Sequence, residues 1–200
     1  VTGVQTCALP ISSPSNFGID WSYFFARGVG DTRAQAGYKF DASLTNSLSL
    51  LPLPVSSEGP ANLAQRNLLR AVQIGLPTGQ DVARAIGVRP LADGQLLIGK
   101  ATGDAADAKA ITEVAPSLAG RSPLWTYVLS EAVNTAYRVV DGKIVGNQRA
   151  PMRLGPVGSR IVTETFVGLL ASDPSSILNS SAPRRNNVTM RQFVDGVINR

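Results

Sequence analysis

Proline and glycine set the lengths of everything this chain can build. Thirteen prolines and nineteen glycines lie among its 200 residues. Many stand at punctuating positions: Pro60, Gly75 with Pro77, Pro116, Pro123, Asp141 with Gly142, Gly155 with Pro156, and Asp173 with Pro174. Proline lacks the N–H that an interior helical turn needs, and glycine takes the left-handed conformation that closes a helix or a tight turn. The segments left between them suit helices of at most about four turns. None is an uninterrupted apolar run of the roughly 20 residues a membrane span requires.

Reading between these marks gives a mainly α-helical chain with long irregular connections and one short β-hairpin. Pro60 stands where a first-turn proline would, and residues 61–74 (ANLAQRNLLRAVQI) contain no breaker before Gly75 and Pro77 end them. Thr78, with Asp81 three residues on, opens a second helix through Ala85, closed by Gly87. Residues 91–100 read as a turn or short extended piece, and 105–114 as a helix stopped by Pro116. Ser122 and Pro123 form an N-cap and first-turn proline for a helix from Leu124 to about Ala136, with Leu124, Val128 and Leu129 on one face.

A hairpin at about 137–145 follows, turning at Asp141-Gly142. Gly155-Pro156 then opens a helix over residues 157–171, in which Val157, Ile161, Phe166, Leu169 and Leu170 are expected to be buried. Thr189 to Gln192 is a capping box for a terminal helix with the apolar stripe Phe193, Val197 and Ile198. Upstream, residues 44–55 read as irregular apolar chain, with helix resuming only after Pro60. Residues 17–25 (FGIDWSYFF) hold five of the twelve aromatic residues and read as an apolar anchor packed on the core.

Composition narrows the chemistry. With 44% hydrophobic and 16% charged residues the chain is globular in type and long enough to bury a core. There is no histidine, which removes from this chain the commonest general base and nitrogen ligand, and every imidazole-based triad. The single cysteine, Cys7, excludes a disulfide framework or cysteine-rich zinc site within the chain. The net charge is +5, and the arginines lie singly except Arg184-Arg185, without interleaved aromatics, so nucleic-acid binding is not expected. Gly28-Val-Gly30 lacks the third glycine of a dinucleotide loop, and no Walker sequence occurs.

Residues 1–19 carry no charge, yet they have no basic n-region, and Pro10 and Pro14 interrupt any apolar run, so they read as neither signal peptide nor span. Residues 1–11 (VTGVQTCALPI) resemble a translated sequencing adapter, and residues 1–16 are expected to be a non-native or disordered tail.

In the helix after Pro60, Asn67 and Arg70 are three apart and share a face between Leu63 and Ile74. By spacing alone the pair reads as solvated, as polar residues of amphipathic helices usually are. Arg160, with Glu164 four residues on, and Arg66 read as structural, and Trp125 as a core residue.

A set of motifs in order changes that weighting. Arg66-Asn-Leu-Leu-Arg70, Gly75-Leu-Pro77 with Gln80, Ser122-Pro-Leu-Trp125, and Leu154-Gly-Pro-Val-Gly-Ser-Arg-Ile-Val162 through Asp173 resemble the animal-type haem peroxidase family, especially its bacterial members. Ile19-Asp-Trp-Ser-Tyr-Phe-Phe25 and the Leu-Pro near residue 51 fit as well, so the likeness covers most of residues 17–198.

The resemblance implies that residues 17–200 are the C-terminal portion of an all-α haem peroxidase domain, lying after the helix that carries the proximal histidine. It implies haem b as cofactor, with the axial histidine in a missing N-terminal half, and an activity that reduces hydrogen peroxide while oxidising a small-molecule donor in response to oxidative stress. By the same resemblance Asn67 accepts a hydrogen bond from the proximal imidazole and Arg70 pairs with a haem propionate. The family's distal histidine, distal arginine and haem-esterifying acids have no counterpart here, so no catalytic residue is assigned and the chain alone is expected to be inactive. A location outside the cytoplasm is implied by the family only. Two alternatives stay open: a haem fatty-acid dioxygenase of the same fold, and a non-catalytic helical binding module in which Asn67 and Arg70 are merely solvated.

Overall fold

The computed structural model describes residues 20–25, 31–34, 40–57, 59–146, 153–176, 178–179 and 192. Residues 1–16 and the expected terminal helix, Gln192 apart, lie outside them. The chain divides into two compact units, one of residues 1–37 with 183–200 and one of residues 38–182.

In the first unit, Trp21–Tyr23 make a single 3₁₀ turn. Asp20 organises it: one carboxylate oxygen accepts from the Ser22 backbone N–H at 2.9 Å and its hydroxyl at 2.6 Å. The other oxygen takes Arg33 at 2.9 Å, and that guanidinium also lies 5.6 Å from the centre of the Tyr23 ring. Tyr23 and Phe24 are exposed, which corrects the expected packed anchor at these two residues. The Arg33 guanidinium over the Tyr23 ring, itself paired with Asp20, keeps that ring beside charge at the surface.

The second unit runs α1 (Asn46–Ser49), α2 (Leu53–Ser56), α3 (Leu63–Gln73), α4 (Gly79–Ala85), β1 (Leu97–Gly99), β2 (Ala108–Ala110), α5 (Ile111–Val114), α6 (Leu124–Val133), β3 (Tyr137–Val140), β4 (Lys143–Gly146) and α7 (Pro156–Ser172). It is mainly α-helical, with two antiparallel sheets of two strands each.

The expected hairpin is present, with Tyr137 opposite Gly146 and the turn residues Asp141 and Gly142 at φ 48° and 75°. Both signs match a mirror-image turn that favours Asp-Gly. Helix α4 is capped as expected, the Thr78 hydroxyl accepting from the Asp81 N–H at 3.1 Å and donating to its carboxylate at 2.7 Å.

Several expectations are corrected. Helix α3 begins at Leu63, not in the turn after Pro60, because the Asn62 side chain accepts from the Gln65 N–H at 3.1 Å and fixes the start there. The stretch expected to be irregular up to Pro60 contains the one-turn helices α1 and α2, and Pro54 is tolerated in α2 because first-turn N–H groups have no intrahelical partner.

The helix expected over residues 105–114 is instead a 3₁₀ turn, strand β2 and the short α5. Pairing with β1, Ala110 opposite Leu97 and Ala108 opposite Gly99, buries both alanines and overrides their helical preference, so a second sheet joins the expected one. Ser122 does not cap α6, which has no side-chain cap; its backbone and hydroxyl are engaged elsewhere.

Two buried clusters form the core. One gathers Leu97, Ala101, Ala108, Ala110, Val133, Ala136 and Tyr137. The other gathers Ala83, Leu96, Ile111, Tyr127 and Val157, with Leu124 and Val128 packed against it. Leu96 and Leu97 belong to different clusters, as successive residues of extended chain point opposite ways, so this one segment ties both clusters together. Helix α7 departs most from expectation. Val157 is buried, but Ile161, Phe166, Leu169 and Leu170 are exposed, Phe166 at 63%. Among the described residues no element lies over them.

Candidate functional site

Helix α3 carries the two residues that the sequence singles out. Its only buried residue is Ala71, and the Arg66 guanidinium donates to the Pro60 carbonyl at 2.6 Å, tying the helix back to the chain that enters it. Asn67 and Arg70 are both exposed, and among the described residues neither side chain has a hydrogen-bond or ion-pair partner. Leu69, Val72, Ile74 and Leu76 are also exposed. At about 100° per residue Ile74 lies on the side of Asn67 and Arg70, whereas Leu69 and Val72 project from the opposite side; the amide and the guanidinium keep unused hydrogen-bonding capacity.

The other three motif segments converge on α6. Gln80, buried at the start of α4, accepts from the Ser122 backbone N–H at 2.9 Å and donates to the Ser122 hydroxyl at 3.3 Å. Gly79 N–H donates to the Ser122 carbonyl at 2.9 Å. Together these hold the entry to α6 against the entry to α4. Tyr127, fully buried one turn into α6, accepts from the Leu91 N–H at 3.0 Å through its hydroxyl. Its ring lies against Gly79, where an added Cβ would come within 2.1 Å of it. Burial raises the Tyr127 phenol above its ordinary value, with the Leu91 hydrogen bond opposing the change.

Glu131, which none of the sequence motifs includes, is the one buried carboxyl group among the described residues. It is only 4% exposed, and a single carboxylate oxygen accepts from the N–H groups of Val157 at 2.9 Å and Gly158 at 3.2 Å. A helix N-terminus leaves its first N–H groups unsatisfied. In α7 the first residue, Pro156, has none, Glu131 takes the next two, and Ser159 begins the helical ladder by donating to Gly155 at 2.8 Å. Gly155 is required for this approach, since a Cβ there would sit 2.0 Å from Glu131 Cγ. Burial raises the Glu131 carboxyl above the usual carboxylate range, and the two backbone N–H groups pull it back.

The signal for Glu131 was in the sequence: the one charged residue in the mostly apolar run LWTYVLSEAV, followed by a Gly-Pro helix start with no capping side chain of its own. Next to it, the fully buried Ser130 hydroxyl has no hydrogen-bond partner among the described residues.

Among the described residues no group of His, Cys, Asp and Glu is arranged to hold a metal ion, and no helix is long and apolar enough to cross a membrane. Trp125 is half-buried, and Arg160 pairs with Glu164 on the exposed side of α7 as expected. Compared with known protein families, with curated proteins and with solved structures, the chain matches none.

Proposed function

We propose that this chain is the proximal-side portion of an animal-type haem peroxidase domain, in which α3 lies against the haem. The observation that carries the reading is the state of Asn67 and Arg70: three residues apart, exposed on α3, and unengaged among the described residues. Both fit the group. A carboxamide oxygen suits the N–H of an iron-bound imidazole, and a guanidinium suits a propionate. The exposed apolar side chains of α3 and α7 agree with surfaces made to be covered by the rest of a domain.

Haem, when bound, supplies the iron that exchanges electrons with peroxide and donor. The residues of this chain do three things toward it. Asn67 Oδ1 accepts the imidazole N–H and fixes the ring's orientation; as a neutral acceptor it draws that proton less than a carboxylate does, leaving the ligand less anionic. Arg70 would pair with a propionate carboxylate through its forked N–H groups. Ile74, on the same side of α3, would help to exclude water, which would strengthen both polar contacts.

The test uses the complete domain, with its histidine-bearing helix. Asn67→Asp lowers the iron midpoint potential, and Arg70→Ala weakens haem retention during gel filtration. An unchanged potential in the first variant, with haem still bound, sinks the role of Asn67. Exposure of both residues also favours a second reading, a helical binding module that uses the apolar face of α3. In that case neither substitution affects haem, while Val72→Asp abolishes partner binding.

A further inference from the structure

Helix α7 is attached to its unit almost entirely through its first turn. Val157 and Gly158 are buried, whereas every residue from Ser159 to Ser172 is exposed. Beyond Gly158 its polar side chains bond locally: Ser159 to the Leu154 carbonyl, Arg160 to Glu164, Thr165 to the Ile161 carbonyl, and Ser172 to the Leu169 carbonyl. Among the described residues none of these bonds reaches another element. Among the described residues the attachment to the core therefore consists of the contacts of α7 with α4 and α6, namely the Val157 side chain in the second core cluster, Gly158 against Val128, and the Glu131 carboxylate on two N–H groups, while at its far end only the following turn folds back, Ser176 and Asn179 donating to the Leu170 and Ala171 carbonyls.

The geometry points to α7 as a hinged arm, pivoting about residues 153–158, whose orientation is latched by the single carboxylate of Glu131. A helix held along its length is positioned by many side chains, but one held at its end takes its direction from whatever fixes that end. Glu131 is suited to this task. It lies on the core helix α6, its side chain is confined by Gly155, and it holds two adjacent N–H groups that together define the helix axis. Its role is positioning, and it rests on geometry independent of the haem reading.

The test places spin labels at Val167→Cys on α7 and Lys109→Cys on β2 in the full chain with Cys7→Ala, and reads the distance distribution. The parent should give one narrow distribution, Glu131→Ala a broad one, and Glu131→Gln, which keeps an acceptor oxygen, a narrow one. In Glu131→Ala the Val157 and Gly158 amides should exchange with solvent about tenfold or more faster, the scale expected for two buried donors left unpaired. The amides of Leu97 and Ala110 should not change. Should Glu131→Ala fail to fold, Gly155→Ala displaces the carboxylate while leaving α6 intact and should broaden the distribution likewise. A parent as broad as Glu131→Ala, an alanine variant as narrow as the parent, or alanine and glutamine variants that behave alike would each overturn the latch.

Discussion

Helices α6 and α7 each carry a set of apolar residues, seven of 10 and eight of 17, and meet opposite fates in the fold. In α6, Tyr127, Ser130, Glu131, Ala132 and Val133 are buried, and the helix touches α4, β1 and α7. In α7 only Val157 and Gly158 are buried, and Ile161, Val162, Phe166, Val167, Leu169 and Leu170 face solvent. Periodic apolar residues thus state that a helix has something to bury, without stating what buries it. What separates the two is polar: α6 is flanked by the Gln80–Ser122 clamp at its start and carries Glu131 near its end, while α7 receives only that one carboxylate.

This contrast can be broken or sharpened by substitution. Tyr127→Ala, which empties the fully buried site against Gly79, should cost about 3–5 kcal/mol in denaturant unfolding. A cost near zero would mean that α6 is not the organising helix.

Glu131→Gln should change the pH profile of stability. Burial raises the folded-state carboxyl, so the folded chain holds this proton more tightly than the unfolded chain, whose value is near 4.5. Its contribution is therefore fully present below 4.5 and is lost as pH rises through the folded value. Beside burial, the only causes of the shift are the Gly158 and Val157 N–H groups, which oppose it without reversing its sign. The glutamine variant should lack this component when midpoints are compared from acid to neutral pH; an unaltered profile would show that Glu131 does not titrate there.

Ser130→Ala removes a buried hydroxyl that has no partner among the described residues, and should leave stability unchanged or raise it by up to roughly 1 kcal/mol. Phe166→Ser on the exposed face of α7 should alter stability by less than about 0.5 kcal/mol while improving solubility, measured by concentration at the onset of turbidity. A cost of several kcal/mol there would mean that α7 is covered in solution and that the contrast with α6 does not hold.

The local grammar of the chain was legible before its structure. Thr78 with Asp81, Asp141 with Gly142, and Gly155 with Pro156 each start or turn an element where they were expected to, because a cap or tight turn is decided by four or five neighbouring residues. Asn62 displaced Pro60 as the start of α3 for the same local reason. Residues 105–114 were misread because alanines favour helix until a strand such as Leu97–Gly99 offers pairing, and that strand lies outside any local window.

For the candidate site, the sequence put Asn67 and Arg70 on one helix and the fold leaves both exposed and unengaged. Glu131 stands out in the sequence as the lone carboxylate of α6, but its partners Val157 and Gly158, 26 and 27 residues later, are set only by the fold.

By itself, then, the sequence determined where elements begin, turn and stop, and which chemistries a histidine-free chain excludes. The tertiary structure alone decided which apolar faces are buried, why Gly79 and Gly155 admit no side chain, and that one carboxylate on α6 holds the start of α7. The reason is range. Caps and turns are settled by bonds along a few residues of chain, whereas burial and long-range capping depend on which distant segments arrive side by side.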